Sequence, residues 1–323
     1  WVAHNALTGG SWKLIPNELD GAEHRAARML MNPWFSPKAV NQLKDKIRER
    51  AVGLIDRMLD KDSCEFMEAF GRPFPITIFL ELMGFPVEQL DTFLKWEFDL
   101  LHTTNHEDRA RASAQIIDFL WGEFCDRRVN PRDDLTTKIA TAELGGEPLN
   151  EDQAKGMLYS LFAGGLDTVA SSLSFYFHYL ARHPELQARL RADLSLVPYA
   201  IEEFLRRFSP VNARRMAAQD VELGGVTIRK GEWVFMGYAL ASLDPTEFPD
   251  PMTVDIDRRQ IRHAAFASGP HFCIGAHLAK MEIKTALEEW LTRVPPFRAV
   301  EGAPTDVHGG GVYGHDSVHL RWD

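Results

Sequence analysis

Apolar residues recur every three to four positions through the first two-thirds of the chain, a pattern that predicts helices. Ser36 and Pro37 form a helix start, with a capping hydroxyl followed by proline at the first helical position. Asn150 caps a longer apolar segment that runs to about residue 182, a helix of about 48 Å at 1.5 Å per residue. The shorter predicted helices cover residues 20–35, 37–59, 66–83, 87–102, 107–128 and 133–142.

The pattern changes after residue 208. A short helix after Pro184 and another over residues 198–208 precede a β-hairpin at 221–228, which turns at Gly224-Gly225. A strand is predicted at 233–236, an irregular stretch at 244–269, a helix at 275–293 and alternating strands at 312–322. The sequence therefore predicts a mainly α fold with small β-sheets (α+β), organised as a single domain over residues 1–323.

Residues 156–181 are apolar enough to resemble a membrane span. However, Asp167 lies in the middle, where a charge costs about 2.5–3.5 kcal/mol on insertion scales. A helix that is apolar on nearly all sides of a soluble protein is more simply a helix through the core. We therefore expect no membrane association.

Composition limits the class of protein. The 323 residues are 45% hydrophobic and 25% charged, and the net charge of −10 argues against a nucleic-acid partner. Three widely spaced cysteines do not form a disulfide framework and favour a reducing, cytoplasmic location. We expect a soluble monomer. Because the chain starts at Trp1, without Met and inside apparent domain sequence, we also expect a further segment upstream.

One cysteine lies where a helix is predicted to begin. The run Phe266-Ala-Ser-Gly-Pro-His-Phe-Cys273-Ile-Gly275 directly precedes the helix at 275–293. Unpaired backbone N–H groups and the helix dipole favour a thiolate at such a position. The alternative is a buried cysteine that acts only as a small apolar residue.

This run resembles the haem-binding signature of the cytochrome P450 family, Phe-x-x-Gly-x-x-x-Cys-x-Gly, at every fixed position. The resemblance implies the P450 fold, a b-type haem (heme b, iron protoporphyrin IX) and Cys273 as the thiolate ligand of its iron. Phe266 and Gly275 would then border the cofactor. The family often has glycine where this chain has Ala267, a mild departure.

The long helix contains Ala163-Gly164-Gly165-Leu166-Asp167-Thr168. Two glycines inside a helix cost about 1 kcal/mol each, so they need a reason. Close packing against another helix is one reason. The resemblance supplies another, because P450s leave room for dioxygen here and use the acid and the alcohol to deliver protons. Asp167 and Thr168 match that catalytic pair.

Other pairs match the family in the same order along the chain. Glu203 and Arg206 lie one helical turn apart and resemble a buried structural pair that Arg258 joins. His24 and Arg28 resemble a pair that binds a haem propionate, with Arg215 and His271 as further partners. Taken alone, each of these pairs is more often an ordinary solvated pair or basic face on a surface helix.

The match is closest to the bacterial camphor hydroxylase group and implies an apolar pocket. Trp12 falls where that enzyme has a tyrosine, and indole donates a hydrogen bond without accepting one. Gly311 replaces a larger aliphatic residue, which would enlarge the pocket. The implied pocket positions are Trp12, Ser160, Val211, Gly311 and Val312.

The resemblance implies hydroxylation of a small hydrophobic, terpenoid-like substrate with O₂. Since the chain carries no flavin or iron–sulfur motif, electrons would come from NAD(P)H through a ferredoxin reductase and a [2Fe-2S] ferredoxin. Arg28, Arg262 and Lys280 would face this acidic partner. The rival functions are a peroxide-using P450, a non-catalytic haem or ligand binder, and a helical protein with coincidental motifs.

Overall fold

The computed structural model describes residues 12–259 and 261–322. Helices dominate the described chain, as the hydrophobic periodicity predicts. They are α1 (Gly21–Met31), α2 (Pro37–Asn41), α3 (Lys44–Asp56), α4 (Pro73–Met83), α5 (Leu90–Leu101), α6 (His106–Val129), α7 (Leu135–Ala140), α8 (Glu151–Gly165), α9 (Asp167–Leu180), α10 (Pro184–Ala192), α11 (Val197–Arg207), α12 (Tyr238–Ala241) and α13 (Ala276–Arg293).

The eleven short strands of the described residues form small antiparallel sheets. They are β1 (Ser63–Glu65), β2 (Glu143–Leu144), β3 (Glu147–Pro148), β4 (Ala213–Met216), β5 (Val221–Leu223), β6 (Val226–Ile228), β7 (Trp233–Met236), β8 (Phe297–Ala299), β9 (Val307–His308), β10 (Gly314–His315) and β11 (His319–Trp322). The largest sheet has the order β1-β11-β8, with Cys64 opposite Leu320 and Leu320 opposite Ala299. The predicted hairpin at 221–228 is confirmed as the β5–β6 pair, and the predicted strand at 233–236 pairs with β4.

Two predicted helices are shorter than the periodicity indicated. The segment 37–59 divides into α2 and α3 at residues 42–43. The segment 66–83 opens with a π-helical turn at Met67–Gly71, in which the Arg72 N–H donates to the Met67 carbonyl (3.0 Å). Pro73 follows and begins α4, so the wide turn joins two differently directed segments.

The prediction of one continuous helix from Asn150 to about residue 182 is wrong at Leu166. Asn150 and Gln153 form the capping box that starts α8. The helix then ends at Gly165, and α9 begins at Asp167. Glycine has the least helical preference of the non-proline residues, so paired glycines allow a break there.

Two apolar cores lie on either side of this break. The first surrounds α9, α11 and α13 and includes the stacked rings of Phe66 and Phe177 (centroids 4.2 Å apart) against Trp290. The second surrounds α4, α5 and α8, where Phe93 packs on Phe162. The break between α8 and α9 therefore lies where the two cores meet. Among the described residues, no helix is both long and apolar enough to cross a membrane.

Candidate active site

Cys273 lies three residues before Ala276, the first residue of α13, at the end of a tightly folded loop. Its N–H donates to the Phe266 carbonyl (2.9 Å), which closes the loop on itself. A side-chain carbon added at Gly275 would lie 3.9 Å from the Cys273 sulfur, so this glycine leaves space beside the thiol. The cysteine side chain is solvent-accessible. The loop therefore presents a sulfur atom to open space in front of a helix.

Ala267, in the same loop, has a φ of 58°, in the left-handed region. Residues with a Cβ pay about 1–2 kcal/mol there, whereas glycine pays almost nothing. The position where the P450 signature often has glycine is thus one whose backbone favours glycine. Ala267 adopts this left-handed conformation in spite of its side chain.

The surroundings of the Cys273 thiol act in opposite directions. Burial among protein atoms raises the pKa of the thiol, and the Gly275 backbone N–H and the Arg28 guanidinium oppose this effect without reversing it. The Cys64 thiol, half-buried in β1, also has its pKa raised, to about 12, chiefly by burial. Unlike Cys64, Cys273 has a backbone N–H and a guanidinium beside it, two groups that stabilise a thiolate.

Cationic side chains gather beside this loop. Arg28 donates to the Phe272 carbonyl (2.7 Å), and the His24 and His271 rings lie 4.2 Å apart. Burial lowers the pKa of His24, and His271, Arg28 and Arg215 lower it further, against the opposing charge of Asp20. The buried His24 Nε2 has no hydrogen-bond partner in the structure. The structure therefore brings the four predicted residues together, with the exposed Asp20 carboxylate 3.2 Å from His271 Nε2 at their edge.

The two glycines of the α8–α9 break have different surroundings. A side-chain carbon at Gly165 would lie 2.8 Å from the Phe79 ring, so α4 packs directly on the backbone. At Gly164 it would meet nothing within 4 Å, and the Gly164 carbonyl accepts a hydrogen bond from the Thr168 hydroxyl (2.9 Å). Both predicted reasons for glycine apply, close packing at Gly165 and open space at Gly164.

Asp167 is buried and lies in a cluster of ionisable side chains, whose members His102 and His308 the sequence analysis did not identify. Ser171 donates to its Oδ1 (2.9 Å), and His102 Nε2 and His308 Nε2 lie 3.5 Å and 3.7 Å from its oxygens. Burial would raise the pKa of Asp167, but the two histidines outweigh it and hold the pKa well below its usual range. Asp167, the candidate residue for proton delivery, is therefore an ionised carboxylate next to two histidine rings.

Glu203, Arg206 and Arg258 meet as the resemblance implied. Arg206 donates to both Glu203 oxygens (2.8 Å and 2.7 Å), and both side chains are fully buried. Arg258 lies 3.4 Å from Glu203. Arg206 also donates to the Ser242, Pro251 and Thr253 carbonyls, so the trio fastens α11 to the irregular segment that leads to Cys273.

The candidate pocket residues fall into two groups. Val211 and Val312 form an antiparallel bridge, and the Gly311 carbonyl accepts from the Asn212 N–H (2.9 Å). Trp12 is buried edge-on against Tyr159 (ring centroids 5.7 Å apart), which precedes Ser160 on α8. Trp12 therefore belongs to the second core. It also lies beside α8, the helix that carries Ser160.

Lys280, on α13, is an exposed cation whose charge is already paired. Its Nζ lies 2.6 Å from Glu202, which also contacts His263 Nε2 (3.1 Å). The surface around Lys280 therefore carries less net positive charge than the sequence alone indicated.

A thiol in a glycine-bounded loop, a cationic surface beside it and a helix that breaks at an acid–alcohol pair define a haem-thiolate site on a mainly helical fold. Residues 55–294 match the Cytochrome P450 family. The chain is 39% identical over 315 residues to the probable cytochrome P450 127A1 of Sinorhizobium fredii, covering 97% of this chain and 76% of that protein. It is 33% identical over 314 residues to luteothin monooxygenase of Streptomyces thioluteus, covering 94% and 77%.

Solved structures agree. The Bacillus subtilis P450 PksS has a TM-score of 0.88 at 30% identity and covers 94% of this chain and 79% of its own. Cytochrome P450 CYP101C1 has a TM-score of 0.87 at 35% identity, covering 96% and 79%. The chain belongs to the cytochrome P450 superfamily and is a P450 monooxygenase with the P450 fold and heme b as its cofactor.

The described residues fit a haem. An accessible sulfur at a helix start suits an iron ligand, and a group of cationic and imidazole side chains suits propionate carboxylates. The buried Nε2 of His24 has no hydrogen-bond partner, and such a carboxylate would satisfy it. Gly164 leaves open space at the break between α8 and α9.

Proposed function

We propose that the chain hydroxylates a small hydrophobic, terpenoid-like molecule, with Cys273 as the iron ligand and with Asp167 and Thr168 handling protons. The haem supplies the oxygen activation when it is bound. The observation that carries the proposal is the break between α8 and α9, where the Thr168 hydroxyl turns to the Gly164 carbonyl next to open space.

The roles of the other residues follow from their positions. His24, Arg28, Arg215 and His271 would hold the propionates through charge-assisted hydrogen bonds. Phe266, Gly275 and Gly164 would border the macrocycle, and Gly165 sets how closely α4 approaches. Asp167 would pass protons toward the Thr168 side of the break, and Thr168 would orient them.

The first test concerns the ligand. The reduced protein with CO should show the strongly red-shifted Soret band of a thiolate-bound haem, and Cys273→Ser should lose it, because a serine hydroxyl does not replace a thiolate. Cys64→Ser and Cys125→Ser are the matched controls and should retain the band. Loss of the band in either control, with Cys273→Ser unaffected, would overturn the assignment.

The second test concerns proton delivery. Thr168→Ala should still bind haem and substrate, yet product formed per NADH consumed should fall by about tenfold or more while hydrogen peroxide accumulates. Asp167→Asn should instead slow NADH-driven turnover itself, because the proton supply is cut. Wild-type coupling in Thr168→Ala would show that this residue only packs.

The substrate class rests on the resemblance to the camphor hydroxylase group and on the apolar Val211 and Val312 beside Gly311. Terpenoids and norisoprenoids should shift the Soret band on binding, and filling the space at Gly311 with Gly311→Val should weaken the bulkier ones most. If only polar molecules gave a spectral shift, the terpenoid class would be wrong.

The electron donor is proposed to be a [2Fe-2S] ferredoxin reduced by an NAD(P)H-dependent reductase. Support comes from the sequence, which contains no flavin or iron–sulfur motif, and from two cations that contact the loop of Cys273. Arg28 donates to the Phe272 carbonyl (2.7 Å), and Lys280 lies 5.6 Å from the centre of the Phe266 ring. Arg262 is the third cation that the resemblance implies. A cytoplasmic location follows from the same proposal, in keeping with the free thiols of Cys64, Cys125 and Cys273.

A further inference from the structure

Four ionisable side chains surround Asp167, the candidate proton donor. His102 follows α5, Glu97 lies within α5, His308 belongs to β9 and Asp316 follows β10. His102 Nε2 lies 2.8 Å from Glu97, and both histidines point Nε2 toward Asp167. The structure thus assembles on α9 a polar cluster from segments far apart in the chain.

A single carboxylate orients both imidazoles. Asp316 Oδ1 lies 2.7 Å from His102 Nδ1 and 2.9 Å from His308 Nδ1. A carboxylate that accepts from one ring nitrogen fixes the tautomer and directs the other nitrogen elsewhere. Here the other nitrogen of each ring faces Asp167.

The cluster reaches solvent through one of its members. The side chains of His102, His308 and Asp167 are 3%, 6% and 2% exposed, and Glu97 is 1% exposed. Asp316 is 26% exposed. Among these five side chains, a proton from water would enter at Asp316.

Close packing holds the β9–β10 hairpin against α9. A side-chain carbon at Gly314 would lie 2.7 Å from the Ser171 oxygen and 3.1 Å from the His308 ring. Ser171 in turn lies 3.3 Å from His308 Nε2 and donates to Asp167. The absence of a side chain at Gly314 is what allows His308 to approach Asp167.

The two histidines have unequal electrostatic surroundings. Burial would lower the pKa of His102, but Asp167 and Glu97 outweigh it and raise the pKa to about 10. His102 is therefore an imidazolium at neutral pH. Burial raises the pKa of Glu97, against the opposing effect of His102 and Arg72, so Glu97 accepts a proton more readily than Asp167 does.

His308 lacks a carboxylate like Glu97 and has a cation as its neighbour. Its ring lies 3.9 Å from the His102 ring, and His315 also faces it. His308 also lies between Asp316, 2.9 Å from its Nδ1, and Asp167, 3.7 Å from its Nε2. His308 is thus the ring that bridges the partly exposed carboxylate and the buried one.

We propose that His308 carries protons from solvent at Asp316 to Asp167, while His102 is the fixed cation that holds the Asp167 carboxylate in place. This inference rests on the proposed function of Asp167. In the transfer, Asp316 that has taken a proton from water passes it to His308 Nδ1, while the His308 Nε2–H bond breaks and that proton binds Asp167 Oδ2. The ring is left neutral with its proton on Nδ1, and it rotates about the Cβ–Cγ bond before the next transfer so that its N–H again faces Asp167 and its bare nitrogen faces Asp316.

The first test measures the histidines directly, without turnover. In the reduced, CO-bound protein, which is diamagnetic, NMR of isotope-labelled histidine should show His102 protonated between about pH 5 and 8, because its pKa is raised to about 10. Exchange of the His308 ring protons with water should slow in Asp316→Asn, which removes the solvent-facing carboxylate on Nδ1. Unchanged exchange at His308 in Asp316→Asn would overturn the relay.

The second test separates proton supply from damage to the site. With NADH, O₂ and the terpenoid that gives the largest spectral shift, His308→Gln should slow product formation by about tenfold or more and enlarge the solvent isotope effect. Hydrogen peroxide brings its own protons, so peroxide-driven turnover should match wild type. His106→Gln, an exposed histidine on α6, is the control and should change neither rate.

Each outcome has a distinct meaning. If His308→Gln loses both rates, the residue is structural and the relay is wrong. If wild type forms no product with NADH and O₂, the proposed function fails, whatever the NMR measurement shows for His308.

The ligand atoms of His102, Asp167 and His308 lie within 4.8 Å of one another. One equivalent of zinc in purified wild type that disappears in His308→Gln would therefore assign them to a metal and overturn the relay.

Discussion

At the scale of single residues, glycines mark where one segment approaches another. Gly84 ends α4 with a φ of 75°, and its carbonyl accepts from the buried Arg127 (2.8 Å). Asp134 fills the remaining space, since a side-chain carbon at Gly84 would lie 2.1 Å from its Oδ2. Asp134 and Arg127 form an ion pair (2.7 Å) that joins α6 to the start of α7.

Gly84→Ala should therefore destabilise the protein by about 2–4 kcal/mol, as the left-handed backbone and the collision with Asp134 add together. Gly225→Ala is the matched control, because Gly225 also has a positive φ (80°) but nothing within 4 Å of the added carbon. It should cost about 1 kcal/mol. Urea unfolding followed by tryptophan fluorescence measures both, and equal losses would contradict the proposed collision.

At the scale of elements, α11 organises the long segment that follows it. Residues 244–269 contain little regular structure, and their backbone carbonyls need donors. Arg206 donates to two of them, Pro251 and Thr253, and to the Ser242 carbonyl just before the segment. Glu203 accepts from the Asp255 N–H (2.9 Å). A buried ion pair on one helix thus replaces secondary structure as the support of the segment before Cys273.

Glu203→Gln should cost about 3–5 kcal/mol, because it leaves the Arg206 charge buried without its counter-ion. The exposed Arg189–Asp257 pair (2.6 Å) provides the control, and Asp257→Asn should leave stability unchanged within error. Thermal unfolding and haem retention should fall together in Glu203→Gln. A variant as stable as wild type would show that the pair is dispensable.

At the scale of the whole molecule, the negative net charge of the chain affects how it binds the redox partner that supplies its electrons. The net charge of −10 repels an acidic ferredoxin, so local cations would have to steer the encounter. Lys280 projects from α13, but Glu202 lies 2.6 Å away and offsets its charge. The structure therefore reduces the contribution expected from this lysine without removing it.

Lys280→Glu should slow reduction by a ferredoxin at low ionic strength, while substrate affinity stays the same. The difference should shrink above about 0.1 M salt, where screening acts over about 10 Å. Lys95→Glu, which changes a similarly paired lysine on α5, is the control and should leave the rate unchanged. The rate of reduction is measured by stopped-flow at several salt concentrations. Equal rates for both variants would show that Lys280 does not belong to the docking surface.

The sequence by itself determined what depends on short stretches of chain. Hydrophobic periodicity and caps at Ser36 and Asn150 defined the helices, since these signals act within a few residues. The ten residues ending at Gly275 defined the cysteine loop, because its backbone bonds close within that run. The family and its cofactor follow from such local patterns.

Tertiary structure decided what depends on residues brought together from afar. The break at Leu166 was missed, because apolar periodicity continues across it and only the packing of Phe79 on Gly165 reveals the approach of α4. His102 and Asp316 are 214 residues apart in the chain, and no spacing rule joins them. Their only local signals are a histidine at a helix end and an acid in a glycine-rich tail. Burial and charge make them a site, and both properties arise only when the chain folds.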